Sequence, residues 1–289
     1  MRTKLNYYRK AALFLSILAI SLLMKPGNCF AAEKSAGLDG IKTLHENTVY
    51  RYDLNGDGKE ETIKYQITEN EERHTATLKL YIDKELCLTK KDDGLSFGIY
   101  LLDLNKGDNS LDLFIRTEME SDCAKNAFFV QYDGNKITHN IAFNIAFKAD
   151  SKAKDFNIYR YSLAKTDGAG RFTLLLDTPV YSQAAGCYYC YASFQVQDNK
   201  VSMLPASTFT LGKYSKEYQY KAAKAFTVYS EAGTKKIAYK VTKGEKVTVD
   251  KLYIAKTGKV YFRVNNKMGR KGWIVSDQEN LFAELPAWG

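Results

Sequence analysis

The sequence predicts an all-β fold, and three observations support that prediction. The chain has 289 residues with 21 Tyr, 15 Phe and only 4 Pro, a composition suited to strands rather than to disorder. Segments of alternating apolar and polar residues recur between clusters of Gly, Asn and Asp, as expected of strands joined by turns. One polar loop also returns about 50 residues later, again between two such segments, which indicates repeated β units.

Residues 1–31 predict a secretory signal peptide. Basic residues open the chain, and the apolar run that follows, Ala11 to Met24, is too short to span a bilayer comfortably. Cys29-Phe30-Ala31 places small residues at the cleavage positions, so we expect a cut after Ala31. A lipid anchor on Cys29 is the less favoured alternative, and an uncleaved anchor stays open. No later segment is apolar enough to cross a membrane, so we expect a secreted or wall-associated chain.

Export determines how the remaining cysteines are interpreted. Four remain after cleavage, and four cysteines allow three complete pairings that sequence cannot separate. Cys187-Tyr188-Tyr189-Cys190 fits a redox motif, half of a zinc site or a short disulfide. A second such pair is missing and the surrounding pattern is a strand, which favours a structural disulfide in an oxidising compartment. The predicted disulfides join Cys187 to Cys190 and, by default, Cys87 to Cys123.

Charge divides the mature chain into two parts. From Glu217 to the end there are 14 Lys and Arg against 7 Asp and Glu, whereas the middle of the chain is mildly acidic. We therefore predict a repeat region at residues 32–215 and a second domain at residues 216–289. The basic balance favours an anionic partner for the second domain. It is too modest to indicate nucleic acid, and export also argues against that partner.

The stretch from Asp53 to Lys64 has the pattern of a calcium-binding loop. Oxygen side chains stand at alternate positions, and Gly58 follows them to allow a sharp turn. A helix-loop-helix calcium site would need Glu at the twelfth position, where Lys64 stands, and an alternating β pattern follows instead. The alternative is a polar hairpin turn without metal. The expected ligands of one Ca²⁺ ion are Asp53, Asn55, Asp57, the Lys59 carbonyl and Glu61.

This loop resembles the calcium hairpin of FG-GAP (VCBS, integrin-type β-propeller) repeats, whose pattern is D-x-N-x-D-G and then an acidic residue before a strand. A degraded copy spans Asp103 to Asp112, with Gly107 at the acidic fifth position, and is expected to be a turn without metal. A weaker copy surrounds Asp167-Gly168-Ala169-Gly170. The resemblance implies propeller-like blades of antiparallel strands. Three units fall short of the four blades of a closed ring, so we expect an open stack of sheets.

The repeat region shows no convincing enzyme motif. Gly94-Leu95-Ser96-Phe97-Gly98 matches the G-x-S-x-G nucleophile elbow, but that motif needs a strand-to-helix turn, and a strand follows here. His45, His74 and His139 stand apart among polar neighbours. We expect a non-catalytic protein. The alternative is a secreted enzyme or enzyme regulator with its active groups in this region.

The last part of the chain has the pattern of a small barrel. Short alternating segments are predicted to form strands around residues 225–229, 241–249, 260–264 and 272–275, with turns between them. In order and spacing they resemble the bacterial Src-homology-3-like (SH3b) domain, with its K-G-x-x-V-x-V, W/Y-x-K/R-V and G-W-I/V segments. The resemblance covers roughly residues 222–282.

This second resemblance implies a core, a ligand and a cellular role. Trp273 is expected to be buried, and the predicted barrel core consists of Val247, Val249, Phe262, Val264 and Ile274. Domains of this family usually bind cell-wall peptides or glycans. We therefore expect a binding protein of a Gram-positive-type cell envelope, with wall polymer or peptide as ligand and a protein partner as the alternative. The expected ligand-binding residues are Tyr253, Tyr261, Arg263, Lys267, Arg270 and Lys271.

Overall fold

The computed structural model describes residue 38 and residues 40–120, 123–143, 145 and 160–287. The predicted signal peptide at residues 1–31 lies outside this part of the chain. The described residues are mostly β-strand, which confirms the all-β prediction, and their helices are α1, Lys213–Glu217, and one 3-10 turn, Glu71–Arg73. None of these helices is long and apolar enough to cross a membrane. The strands are β1 Ile41–Leu44, β2 Tyr50–Tyr52, β3 Glu61–Asn70, β4 Thr75–Ile82, β5 Glu85–Asp93, β6 Ser96–Leu102, β7 Asp112–Glu118, β8 Ala124–Tyr132, β9 Ile137–Phe143, β10 Tyr161–Thr166, β11 Arg171–Asp177, β12 Tyr189–Gln197, β13 Lys200–Met203, β14 Thr208–Thr210, β15 Tyr220–Lys221, β16 Phe226–Tyr229, β17 Ile237–Val241, β18 Lys246–Ile254, β19 Val260–Asn266 and β20 Lys271–Val275.

The first three antiparallel sheets are runs of hairpins. Their strand orders are β2-β3-β4-β5, then β1-β6-β7-β8-β9, then β10-β11-β12-β13. The three loops of the sequence repeat are equivalent turns, because they join β2 to β3, β6 to β7 and β10 to β11. In each sheet this turn closes the first hairpin, and β1 is an extra strand added beside β6. The sequence repeat therefore marks three successive structural units.

The middle sheet is buried on both of its faces. Ile99 and Ile115 belong to the same buried cluster as Leu78 of the first sheet. The opposite face carries Phe129, whose ring lies 5.0 Å from that of Phe172 in the third sheet. Strands β7 and β8 are accordingly near-continuous apolar runs, as expected where both faces of a sheet are covered.

The fourth sheet has the order β14-β18-β19-β20-β16-β17, and β15 also pairs with β18. Among the described residues no pairing joins β14 to β17, so the sheet is not closed into a barrel. Strand β16 meets β20 through one residue pair, Tyr229 with Trp273. All five predicted core residues are buried, namely Val247, Val249, Phe262, Val264 and Ile274.

The two predicted domains share one apolar core. The predicted boundary at 215/216 falls inside α1, and β14 on its N-terminal side already belongs to the fourth sheet. The Tyr188 ring lies 5.0 Å from that of Phe262, and the Tyr220 hydroxyl donates a hydrogen bond of 2.9 Å to the Ala185 carbonyl. One buried cluster extends from the middle sheet through the third sheet into the fourth. Removing residues 216–289 would therefore expose apolar surface of the repeat region.

Candidate ligand-binding face and calcium loop

One face of the fourth sheet carries three of the six predicted ligand-binding residues. Residues alternate in direction along β18, β19 and β20, so the neighbours of the buried core positions point away from the core. Tyr253 lies opposite Tyr261, and Arg263 lies opposite Trp273, in paired strands. The strand register thus collects Tyr253, Tyr261, Arg263 and Trp273 on one surface, which we call the outer face.

The outer face is built around three aromatic rings. The Tyr253 ring lies 5.7 Å from Trp273 in an edge-to-face arrangement and 6.0 Å from Tyr261. Tyr261 is only 8% exposed, and the turn at Gly233 lies against its hydroxyl. Trp273 is half-buried, so the expectation of a buried Trp273 is wrong. On this strand the side chain that points into the core is that of the neighbouring Ile274. Tyr253 and Trp273 therefore offer flat ring surfaces on which a ligand can stack.

Arg263 is held by a carboxylate that sequence analysis did not identify. Its Nε and Nη2 donate hydrogen bonds of 2.8 and 2.6 Å to the two carboxylate oxygens of Asp250. Burial raises the pKa of Asp250, but the hydrogen bonds from Arg263 and Asn265 and the charges of Arg263 and Lys271 together outweigh burial and hold that pKa below its usual range. Asp250 is the extra residue of a β-bulge between Val249 and Lys251. Arg263 therefore orders the outer face and carries little net charge for a ligand.

The other three predicted residues lie at the turn between β19 and β20. Lys267, Arg270 and Lys271 are all exposed. The Arg270 guanidinium lies 5.3 Å from the centre of the Tyr239 ring, which fixes its position. Lys271 is on the same side of β20 as Trp273 and two residues away. The six predicted residues thus form an aromatic group and a basic turn, connected through Lys271.

The first loop wraps its side-chain oxygens inward, as the sequence predicts. Asp53 Oδ1 accepts hydrogen bonds from the amides of Gly56 and Asp57, at 2.8 and 3.1 Å. Asp53 Oδ2 accepts one from Gly58, which has the positive φ of 84° that favours glycine. Asn55 Oδ1 accepts a bond of 2.9 Å from the Asp57 amide. The alternate oxygens therefore line the inside of one turn.

Glu61 closes this loop from the start of β3. Its Oε2 accepts a hydrogen bond of 2.7 Å from the Leu54 amide, and the residue is only 6% exposed. Burial raises the pKa of Glu61, the Leu54 amide opposes that rise, and the charges of Asp53 and Asp57 add to it. Three carboxylates thus lie close enough to repel one another, which a bound cation would relieve.

The second loop repeats this closure with a different acid. Asp112 Oδ2 accepts a hydrogen bond of 3.3 Å from the Leu104 amide, as Glu61 does from Leu54. The Oδ1 of Asp112 accepts one of 2.7 Å from Gln131. Asp112 is 2% exposed, and burial raises its pKa to about 6. The repeat therefore preserves a buried carboxylate that ties the loop to the following strand.

The donor sets of the two loops differ in how well they fit a metal ion. Among the described residues, no group of three or more His, Cys, Asp and Glu side chains is arranged to hold a metal ion. A calcium ion at the first loop would consequently need the Asn55 oxygen and the Lys59 carbonyl besides the carboxylates, as the sequence pattern expects. The inward-facing oxygens of the first loop fit that requirement. The second loop has Gly107 at the position of Asp57 and therefore lacks one of these oxygen donors.

Neither predicted disulfide is present, because all four described cysteines are free thiols. Cys87 is near the start of β5, whereas Cys123 lines a cavity with Asp93 at the end of that strand. Six residues of strand separate those positions by about 20 Å, far beyond the Cα separation of about 6 Å that a disulfide needs. Cys190 is buried on β12, whereas Cys187 lies in the bend before this strand and lines a surface cavity. The two thiols therefore lie in different surroundings, and no bond joins them.

The G-x-S-x-G sequence is part of a hairpin. Gly94 and Leu95 form the turn between β5 and β6, and Ser96 is the first residue of β6. The structural context of a nucleophile elbow, a strand followed by a helix, is therefore missing at this position.

No protein-family model matches this chain, and a search of curated proteins gave no match. The two family resemblances consequently rest on the residues quoted above.

Proposed function

We propose that this protein is an exported, non-catalytic binding protein of a Gram-positive-type cell envelope. In this proposal residues 1–31 direct export, and the fourth sheet is an open variant of the SH3b barrel. The three stacked sheets are propeller-like units that support it. Cell-wall polymer or peptide binds the outer face.

The observation that supports the proposal most is the pairing of rings and charge on one exposed surface. The rings of Tyr253 and Trp273 lie edge to face at 5.7 Å, beside an ion pair that fixes Arg263. Aromatic rings with a polar rim are typical of recognition surfaces, because rings bury much area and lose little side-chain entropy. The basic turn at Lys267 and Arg270 adds long-range attraction for anionic wall polymer.

Calcium has a structural role in this proposal. A Ca²⁺ ion at the first loop would neutralise Asp53, Asp57 and Glu61 and tie the β2-to-β3 turn to its sheet. The second loop is a turn without metal in this proposal, because Gly107 stands where the first loop has the carboxylate of Asp57.

Co-sedimentation with purified Gram-positive wall tests the binding proposal. The full mature chain is the right material, because the fourth sheet shares its core with the third. We expect Tyr253→Ala and Trp273→Ala to reduce the bound fraction at every salt concentration while the circular dichroism spectrum is unchanged. The matched control is Tyr81→Ala, a half-buried tyrosine on the outer side of the first sheet. If the folded parent chain stays in the supernatant at every salt concentration, the proposal of wall binding is wrong, and a protein partner becomes the proposed ligand.

A further inference from the structure

A second cleft lies where the third and fourth sheets meet. One wall is the segment that joins β11 to β12, and the other is the C-terminal segment at residues 279–287. The cleft has a volume of about 580 Å³, within the usual range for a ligand site. It shares no residue with the outer face. We call it the junction cleft.

The walls of the junction cleft are held together by main-chain contacts. The Cys187 amide donates a hydrogen bond of 2.8 Å to the Pro286 carbonyl. Gly186 has a φ of 65°, and a Cβ at this position would lie 2.5 Å from the same carbonyl oxygen, so only glycine permits the approach. The amides of Gln183 and Ala184 both donate to the Ser276 carbonyl at 3.0 Å. The cleft is therefore pre-formed, which lowers the ordering cost of binding.

The lining combines exposed apolar groups with polar side chains that, apart from Glu279, are uncharged. Tyr181 is 46% exposed and Leu285 is 38% exposed, values that are high for large apolar side chains. The side chains of Gln183, Glu279 and Asn280 have no hydrogen-bond partner among the described residues. Among the described residues neither Lys nor Arg lines the cleft, although the chain as a whole has a net charge of +9. At its edge the Lys224 amine donates a hydrogen bond of 3.1 Å to the Glu279 carbonyl, so the described lining itself presents a carboxylate and no cation to a polyanion.

We propose that the junction cleft binds a neutral oligosaccharide. Sugar rings present flat C–H faces that pack against tyrosine, and their hydroxyl groups exchange hydrogen bonds with amides and carboxylates. Tyr181 supplies a ring surface beside the apolar Leu285, and Gln183 and Asn280 supply the hydrogen-bonding groups. This inference does not depend on the proposed function of the outer face, because the two surfaces have no residue in common.

Alkylation of Cys187 gives a direct test, because this thiol lines the cleft. Burial raises the pKa of Cys187, so iodoacetamide labelling is carried out at alkaline pH and followed by peptide mass spectrometry. Tetramers of N-acetylglucosamine and of glucose are the probes. If Cys187 does not react while the tetramer is bound, its alkylation rate falls about tenfold at a tetramer concentration ten times the Kd. Cys87 is the internal control, since burial also raises its pKa and it lies on β5.

Substitutions inside and outside the junction cleft show where the bound tetramer protects Cys187. We expect Tyr181→Ala and Gln183→Ala to abolish protection of Cys187, and Tyr253→Ala on the outer face to preserve it. Unchanged Cys187 labelling with both tetramers overturns the inference. So does equal slowing at Cys87, which would mean a general effect of the sugar. Protection by the free peptide Ala-Glu-Lys-Ala alone would also overturn it and assign the cleft to peptide. Wall co-sedimentation through the outer face can succeed or fail independently of each result.

Discussion

The middle sheet and the fourth sheet differ in how many of their faces are covered. The middle sheet buries Ile115 on one face and Phe129 on the other, because a sheet packs against each side. The fourth sheet buries Phe262 on one face only and leaves Tyr253 and Trp273 partly exposed on the other. The comparison teaches where recognition can occur in this molecule. Covered faces provide stability, whereas a face that is left open but still carries large rings is available to a ligand.

The largest expected effect separates these two roles. Phe129→Ala removes a ring packed against Phe114 and Phe172, and such truncations cost about 3–5 kcal/mol of unfolding free energy. Trp273→Ala removes a half-buried ring and should cost only about 1 kcal/mol. Urea unfolding of both variants measures the two values. Equal losses would mean that the outer face is part of the stabilising core.

The middle sheet and the fourth sheet should also differ in how a carboxylate makes their stability depend on pH. Asp112 has a pKa of about 6 in the folded chain and about 4 when unfolded, so its protonation favours folding. Its contribution is fully present below pH 4 and is lost as the pH rises through 6, a change on the order of 3 kcal/mol. Asp112→Asn should remove this slope, because asparagine does not titrate. The fold should tolerate the change, because Gln131 can turn its amide to keep the hydrogen bond. Unfolding free energies measured between pH 4 and pH 7 check the difference.

Asp250 in the fourth sheet should show the opposite trend. Its folded pKa is lowered, so its contribution is present above pH 4 and is lost as the pH falls through the folded pKa. Asp250→Asn should therefore lower stability by a constant amount between pH 4 and pH 6, flatten the acid limb of the stability curve, and leave the slope between pH 4 and pH 6 unchanged. A variant that alters the slope of both regions equally would contradict this separation.

Calcium should distinguish the first loop from the second. At a Ca²⁺ concentration ten times the Kd, binding stabilises the folded chain by about 1.4 kcal/mol, which raises the Tm by about 3 °C. Asp57→Ala should abolish the rise, and the matched variant Asp108→Ala should retain it. Thermal scans in chelator and in millimolar calcium make the measurement. Superimposed scans would mean that the first loop is a turn without metal.

The smallest expected effect concerns the basic turn. Reversing Lys267, Arg270 and Lys271 to Glu should weaken wall binding at 0.1 M salt, where the Debye length is about 10 Å, and have little effect at 1 M, where it is about 3 Å. The matched control reverses Lys64, Lys79 and Lys91 on the outer side of the first sheet. Sedimentation across a salt series compares them. A loss that persists at 1 M would show that the turn makes close contacts with the ligand.

Much of this contrast was visible in the sequence, because burial sets the pattern of each strand. The uninterrupted apolar run Leu113-Phe114-Ile115 is typical of a strand covered on both faces, and all three residues are buried. In β19 apolar and polar residues alternate near Arg263, and one face is open. The Asp53 loop was also predictable, since alternate oxygens and Gly58 specify its turn.

Other features depend on tertiary contacts that no local pattern records. The bulge that places Asp250 beside Arg263 adds one residue to β18, and periodicity cannot show where a bulge occurs. The sequence pattern did not reveal the shared core. The division into two domains was inferred from the charge distribution, and charged residues reflect the surface of a protein rather than its core. The junction cleft is formed by segments about 100 residues apart, and Gly186 alone hints at their close approach.

The central claim is that a wall ligand lies on the outer face, and fluorescence of Trp273 tests it most directly. The chain has two tryptophans, so Trp288→Phe leaves Trp273 as the only one. Titration with soluble wall fragments should shift the emission to shorter wavelength and protect it from iodide quenching, because bound ligand excludes water from the ring. The Tyr253→Ala variant of the same chain should need more fragment for the same change. Unchanged emission while the protein still sediments with wall would contradict the claim.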